Sequence, residues 1–152
     1  MVGVLFPLIL YACGDQKIDT TAAREEMEAR EIKVVSDAQI LEQATKLGQQ
    51  LSAEFEVKSS DHGIEFSFGP DTIYQKAHYL FGESNKLSGK ELELFKAYDY
   101  NRKNGIRSEA NIQKLDDGKI LLYNSPIQFG DSTIGIWSIK FSRKEIVLSI
   151  KN

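Results

Sequence analysis

Three strand-like runs in the last third of this chain constrain its fold most strongly. They read NIQKL at 111–115, KILLYNSPIQ at 119–128 and TIGIWSIKF at 133–141, and their apolar spacing is that of strands rather than helices. Asp-Asp-Gly at 116–118 joins the first two and is a strong hairpin signal. QFGDST at 128–133 is predicted to form the second turn. Three consecutive strands with short connections predict an antiparallel, three-stranded meander.

A helix of about five turns is predicted to begin after Ser36. The segment SDAQ at 36–39 fits a capping box, in which the first and last residues satisfy each other's backbone N–H groups. The apolar residues that follow lie on one face of a helix: Ile40, Ala44, Leu47, Leu51 and Phe55. Such a stripe favours packing on a sheet.

The next two segments differ in the spacing of their apolar residues: the first has the spacing of a strand and the second that of a helix. IEFSF at 64–68 alternates apolar and polar residues, which predicts a half-buried strand that Gly69 and Pro70 end. TIYQKAHYLF at 72–81 is predicted to form a short helix capped by Asp71. Its apolar face would contain Ile73, Ala77, Leu80 and Phe81.

Two further helices flank the meander. Ser88 and Glu91 form a second capping-box pattern ahead of a helix that Gly105 would end. Its buried side would contain Leu92, Phe95 and Tyr98. A third such pattern, SRKE at 142–145, predicts a terminal helix that packs through Ile146, Val147 and Ile150. Helices before and after antiparallel strands predict an α+β domain.

The first twelve residues have the composition of a secretion signal. MVGVLFPLILYA is too short to cross a bilayer as a stable helix, but it has the length of the apolar part of such a signal. The next residue is Cys13, and positions 10–13, Leu-Tyr-Ala-Cys, resemble the lipobox of bacterial lipoproteins. The resemblance implies that residues 1–12 are removed and that Cys13 carries a lipid anchor. The alternative is a buried N-terminal strand with an inert cysteine.

The segment after Cys13 turns abruptly polar. Residues 13–19 are interpreted as a tether, and residues 20–35 as a helical spacer that opens a single domain over 20–152. Within the spacer, Glu26 and Arg30 have the spacing of a stabilising helical ion pair. A partner-binding helix at 20–33 is the alternative interpretation.

Composition excludes several classes of protein. The formal net charge of −3 argues against nucleic acid, whose binding depends on clustered Lys and Arg. A single cysteine forms no intrachain disulfide. No later segment is apolar for long enough to span a bilayer.

Residues 91–150 resemble the closing half of a bacterial extracytoplasmic haem-binding family with a PAS-like fold. The resemblance is carried by FKAYDYNRKNGIRSEANIQKLDDGKILLYNSPI and by GIWSIKFSRKEIVLSI, and it extends more weakly over 20–60. It implies a PAS-like antiparallel sheet with a long N-terminal helix, in a lone exported protein or in the sensor region of a signalling protein.

The chain departs from that family where haem is attached. Members that bind haem covalently carry Cys-x-x-Cys-His between the last two strands, whereas this chain has QFGDST there. Covalent attachment at that site is therefore ruled out. The family's Asn-Pro segment is replaced by SNKLSGKE. The resemblance thus implies a scaffold whose cofactor site has been lost or replaced.

Two histidines and several aromatic residues are the candidate ligand-binding positions. His62, in SSDHGIE, and His78, on the predicted helix, are the only imidazoles that can hold non-covalent haem; a surface or structural role is the alternative for each. Tyr123 and Trp137 are candidates for a pocket wall, because each has an apolar body and a polar tip. They are also ordinary core residues, as are Phe66, Phe68 and Phe141.

An enzyme is not the favoured class. Asp61, His62 and Glu65 invite an acid/base interpretation, but the chain has no nucleophile elbow, phosphate-binding glycine loop or metalloprotease helix. We expect a lipid-anchored protein of the bacterial cell envelope that binds a small ligand or a protein partner without turnover, and no cofactor. A redox protein that holds haem through His62 or His78, and a structural subunit of a membrane complex, are the alternatives.

Overall fold

The computed structural model describes residues 35–70 and 73–151, together with Thr21. The regular elements of this part of the chain are α1 (Asp37–Ser52), β1 (Glu56–Ser60), β2 (Gly63–Ser67), β3 (Gln75–Leu80), α2 (Gly89–Lys103), β4 (Asn111–Leu115), β5 (Ile120–Phe129), β6 (Ser132–Ser142) and α3 (Arg143–Lys151). The predicted α+β class is confirmed.

The larger sheet is antiparallel and has four strands in the order β3-β6-β5-β4. Strands β4, β5 and β6 are consecutive and adjacent, and β5 pairs with β6 in a register that places Tyr123 opposite Ile139. Strand β3 pairs with the free side of β6, with His78 opposite Trp137. A separate two-stranded hairpin is formed by β1 and β2. Strand β6 therefore lies in the interior of the sheet.

Helix α1 begins at the predicted capping box. Ser36 Oγ accepts from the backbone N–H of Gln39 at 3.2 Å, and Gln39 Oε1 accepts from the N–H of Ser36 at 2.9 Å. The helix ends at Ser52 rather than continuing to Phe55. Its buried residues are Ile40, Ala44, Gly48 and Leu51. The prediction of which side of the helix is buried is therefore correct, although Gly48, rather than the predicted Leu47, is buried at its centre.

Three elements meet at the start of α1 through one carboxylate. Asp37 accepts from Lys114 of β4 at 2.5 Å and also bonds to Arg143 of α3. Hydrogen bonds from Lys114 and Arg143 lower the pKa of Asp37 to about 2. The first turn of α1, the edge strand β4 and the terminal helix are thereby connected.

Helix α2 ends as the sequence indicates. Gly105 has a φ of 67°, a left-handed conformation that glycine adopts without strain. Its N–H donates to Arg102 O at 3.2 Å, and the N–H of Ile106 donates to Asn101 O at 2.8 Å, which is a Schellman motif. At the other end Ser88 is the N-cap residue, but its side chain makes no capping hydrogen bond.

The predicted helix at 72–81 is wrong, because residues 75–80 form strand β3. His78 therefore lies on a strand. Ile73, which was assigned to the buried helical face, is 76% exposed. Pairing with β6 along the whole strand outweighs the local helical spacing, since tertiary context readily overrides a short periodic pattern.

The turns of the meander are close to those predicted. Asp116 and Asp117 both have positive φ, at 47° and 51°, in the connection between β4 and β5. The second turn is shorter than the predicted 128–133, since Phe129 and Ser132 already pair across the hairpin. Strand β1 has no counterpart among the predicted elements. The terminal helix α3 is present, with Ile146 fully buried.

Several predictions concern residues outside those described. The signal segment at 1–12, Cys13, the tether at 13–19 and, apart from Thr21 and Val35, the spacer at 20–35 belong to this group. Among the described helices, none is long and apolar enough to cross a membrane.

Candidate functional site

The two faces of the larger sheet carry different helices. On one face, Tyr123 and Ile139 belong to a hydrophobic core with Ile40 of α1 and Ile146 of α3. We call this the α1 face. On the other, Ile136 packs with residues of α2 such as Phe95. We call this the α2 face. Because side chains alternate along a strand, neighbouring residues of β6 belong to opposite faces.

His78 and Trp137 come together on the α1 face, in a cluster of five rings. The imidazole of His78 stacks on Phe66 with ring centroids 4.1 Å apart and also contacts Phe68 and Trp137. Trp137 in turn contacts Phe55, Phe66 and Phe68 at 4.9–5.7 Å. Burial lowers the pKa of His78 below 6.5, so its imidazole is neutral at pH 7. The cluster joins the small hairpin to the sheet.

The other predicted ligand-binding residues lie elsewhere. Tyr123 is 1% exposed within the core, and its hydroxyl is 3.3 Å from Ser52 Oγ. His62 and Asp61 are exposed in the turn between β1 and β2, and Glu65 is exposed on β2. The structure therefore brings together two of the four predicted residues, His78 and Trp137, in a packed cluster.

The α2 face carries polar side chains where a sheet interior is usually apolar. Asn124 of β5 and Ser138 of β6 lie directly opposite each other and are 2% and 4% exposed. Asn124 Nδ2 has no hydrogen-bond partner within the described residues. Tyr98 of α2 closes the end of this layer, with its hydroxyl 2.7 Å from Glu109 O and 3.3 Å from Asn124 O. Burial raises the pKa of Tyr98 to about 12, so the hydroxyl stays protonated.

A partly buried ion pair extends this polar layer. Lys140, two residues after Ser138 on the same face, donates to Glu91 Oε2 at 3.0 Å. Glu91 belongs to the first turn of α2, and its other oxygen, Oε1, is buried without a partner within the described residues. Tyr79 of β3 lies near Glu91. Burial and, to a smaller extent, the negative charge of Glu91 raise the pKa of the Tyr79 hydroxyl.

A cavity of about 120 Å³ opens beside these residues. Its lining consists of Gln75, Lys76, Ala77, Tyr79, Ser138 and Lys140. Lys76 Nζ donates hydrogen bonds to the backbone carbonyl oxygens of Phe68, at 3.1 Å, and Pro70, at 2.7 Å. The cavity therefore offers an ammonium, two hydroxyls and an amide around a small space, which is the chemistry of a polar ligand site. We call it the polar pocket.

A larger, open groove lies at the C-terminal end of α2. It has a volume of about 630 Å³, and Arg102, Arg107, Gln128 and Thr133 are among its lining residues. Arg102 is held by Asp99 at 2.8 Å, and Gln128 bonds to Thr133 at 2.9 Å. The groove lies at the β5–β6 turn, within the predicted turn segment QFGDST. The groove is larger than the polar pocket, and none of its polar lining residues among those described is buried.

Sequence reasoning missed the residues of the polar pocket. A signal was present, because Asn124, Ser138 and Lys140 interrupt runs that are otherwise apolar and belong to central strands. A polar residue at an inward position of a central strand is more informative than another aromatic residue. The contributions of Glu91 and Tyr79 depend on tertiary packing and had no signal in the sequence.

Comparison with known proteins adds no family to this description. No family model, no curated protein and no solved structure matches the chain. Within residues 35–70 and 73–151, no group of three His, Cys, Asp or Glu side chains is close enough to hold a metal ion. The assignment of a function therefore depends on the chemistry of the polar pocket.

Proposed function

We propose that this chain is a membrane-anchored bacterial lipoprotein whose α+β domain binds a small polar ligand outside the cytoplasm, as sensory modules do. The observation that carries the proposal is the polar pocket, where Ser138 and Lys140 of an interior strand line a small cavity. The binding takes place without turnover, and the chain is a receptor rather than an enzyme.

The polar layer behind the pocket supports a binding role over a purely structural one. A buried donor or acceptor without a partner costs about 1–3 kcal/mol of folding free energy. Asn124 Nδ2 and Glu91 Oε1 are two such atoms, and apolar side chains at these positions would avoid that cost. Unpaired buried polar groups are few in native proteins, and each calls for a structural or functional reason, of which a bound ligand is one.

The arrangement of elements supports the PAS-like interpretation. A helix precedes the antiparallel meander, and α2, which lies between β3 and β4 in the chain, covers one face of the sheet. Sheets of PAS-like domains line their ligand pockets with strand side chains, and the polar pocket is lined by β3 and β6.

Haem is a less suitable ligand than a small polar molecule. The ring of His78 is packed in the aromatic cluster against Phe66 and Trp137, and His78 lines neither the groove of about 630 Å³ nor the polar pocket. The described residues around His78 therefore do not fit the group, and the proposal uses no haem chemistry. The alternative of a structural subunit depends on residues 20–33.

The first experiment is a thermal unfolding assay of the full chain, purified in detergent, with anionic, neutral and cationic compounds of two to four carbons. A ligand at 100 times its Kd stabilises the folded state by about 2.7 kcal/mol, which raises Tm by several degrees for a domain of this size. Ser138→Val should abolish the shift, whereas Ser59→Val, on an exposed strand position, should retain it. If no compound shifts Tm in a Ser138-dependent manner, the polar pocket is not a ligand site.

Anchoring through Cys13 is tested separately. The expected result is incorporation of labelled fatty acid into the wild-type chain, with the protein in the membrane fraction. Cys13→Ser should lose both the label and the membrane association. A Cys13→Ser chain that is still labelled would overturn the lipoprotein assignment.

A further inference from the structure

The charges around the polar pocket indicate the class of its ligand. Lys76 and Lys140 are its charged lining residues. Because side chains alternate along β3, the side chain of Lys76 lies on the α1 face with His78, where its Nζ donates to two backbone carbonyl oxygens. Lys140 is therefore the cation that faces a ligand. Within the part of the chain that the structure describes, no carboxylate lines the pocket, so a cationic ligand would meet like charge.

Unused hydrogen-bond donors converge on the same space. An ammonium has three donors, and Lys140 uses one on Glu91 within the described residues. The hydroxyls of Ser138 and Tyr79 line the pocket and form no hydrogen bond to any other described residue. Both hydroxyls carry protons at neutral pH. A ligand with two adjacent acceptor oxygens satisfies this arrangement best.

We propose that the polar pocket binds a short-chain monocarboxylate, an inference that rests on the proposed ligand-binding function. One carboxylate oxygen accepts from Lys140 Nζ and the other from Ser138 Oγ, with Tyr79 as an additional donor. The small side chain of Ala77 leaves space for the carbon chain. A cavity of 120 Å³ holds roughly four water molecules, which corresponds to a ligand of about two to four carbons.

The neighbouring charges favour a monoanion over a dianion. Lys140 is already paired with the negatively charged carboxylate of Glu91. That carboxylate repels every negative charge on the ligand, so a dianion is repelled more strongly than a monoanion. Glu91 lies in the first turn of α2, where the helix N-terminus contributes about half a positive charge. This balance accommodates one additional negative charge, and inorganic phosphate, which carries up to two, is disfavoured.

The test is calorimetric titration of the full chain in detergent, in carboxylate-free buffer, with acetate, propionate and pyruvate. Acetamide has the shape of acetate without its charge and is the neutral comparison. Inorganic phosphate is the dianionic comparison. We expect saturable one-to-one binding of at least one carboxylate, with acetamide and phosphate weaker by about tenfold or more.

Variants identify the site. Lys140→Met should weaken carboxylate binding at least about tenfold, and Ser138→Ala should weaken it with less effect on folding. Lys96→Met, at an exposed position of α2, is the matched control and should leave binding unchanged. Glu91→Gln should strengthen acetate binding by about threefold or more, because it removes the competing charge.

Other outcomes separate the ligand class from the function. If acetamide, a cation or phosphate binds better than acetate and Ser138→Ala weakens that binding, the monocarboxylate assignment is wrong and the proposed function stands. If Glu91→Gln weakens acetate binding, Glu91 itself accepts from the ligand and the assignment is also overturned. If no compound binds in a Ser138-dependent manner, both fail.

Discussion

Replacing Gly48 with alanine should destabilise the fold, although alanine is the better helix former. Gly48 lies at the centre of the buried side of α1, and a Cβ there would be 2.4 Å from Tyr123 Cγ and 2.5 Å from Cδ2. The ring cannot easily give way, because Tyr123 is 1% exposed and its hydroxyl is 3.3 Å from Ser52 Oγ. Helix α1 must therefore move away from β5.

The magnitude follows from two opposing terms. Restoring ordinary contact of about 3.5 Å requires α1 and β5 to separate by about 1 Å, and overpacking of this kind costs about 1–3 kcal/mol. Alanine in place of glycine contributes about 1 kcal/mol in the opposite direction through helix propensity. The expected net effect of Gly48→Ala is therefore a loss of about 0–2 kcal/mol, centred on about 1 kcal/mol, in the free energy of unfolding.

The sign of the effect should reverse when the ring is absent. In a Tyr123→Ala background the clash no longer exists, so Gly48→Ala should stabilise the protein by about 1 kcal/mol. The coupling energy between the two positions is then about 1–3 kcal/mol. Urea unfolding followed by far-UV circular dichroism measures all four proteins, and Gln50→Ala, at an exposed position of α1, shows the effect of alanine without a clash. The same sign in both backgrounds would refute the close approach of α1 to Tyr123.

Three further predictions concern backbone contact and titration. Gly135→Ala should cost more than Gly48→Ala in urea unfolding, since its Cβ would be 2.3 Å from the backbone oxygen of Tyr79 and no rotamer change relieves that contact. The pKa of Asp37 is lowered from 3.8 to about 2, so its stabilising contribution is present above pH 4 and is lost as the pH falls towards 2; the Tm of Asp37→Asn should fall less over that range than that of the wild type. The pKa of His78 is lowered from 6.5 by burial, so this residue contributes to the loss of stability as the pH falls below 6.5; NMR titration should give a pKa below 6.5, and His78→Phe should reduce the pH dependence of Tm.

Most of the fold was predictable from local patterns. The capping box at Ser36, the Asp-Asp-Gly turn and the left-handed Gly105 each act within a few residues, and each has the predicted role. The segment at 72–81 was not predictable in this way. Its helical spacing is real, but strand β3 is stabilised by pairing with β6, which lies about 60 residues later in the chain. No local pattern carries that information.

The candidate site was less predictable than the fold, because successive side chains of a strand point to opposite faces of the sheet. Trp137, a predicted ligand-binding residue, and Ser138, a residue of the polar pocket, are adjacent in β6 and belong to opposite faces. His78 and Tyr79 are related in the same way on β3. Selecting large aromatic residues therefore identified the strands that line the polar pocket, but side chains on the face opposite to it.

The difference between the predicted residues and those of the polar pocket has a physical origin that applies to other central strands. Aromatic residues stabilise a core wherever they are buried, so their presence on β6 says little about ligands. A serine or lysine facing the interior of the same strand lowers stability unless it is paired. Lys140 is paired with Glu91, whereas Ser138 is buried beside a cavity without a side-chain partner among the described residues. The inward polar residues of the central strands, rather than their rings, are therefore the positions at which a ligand should be sought.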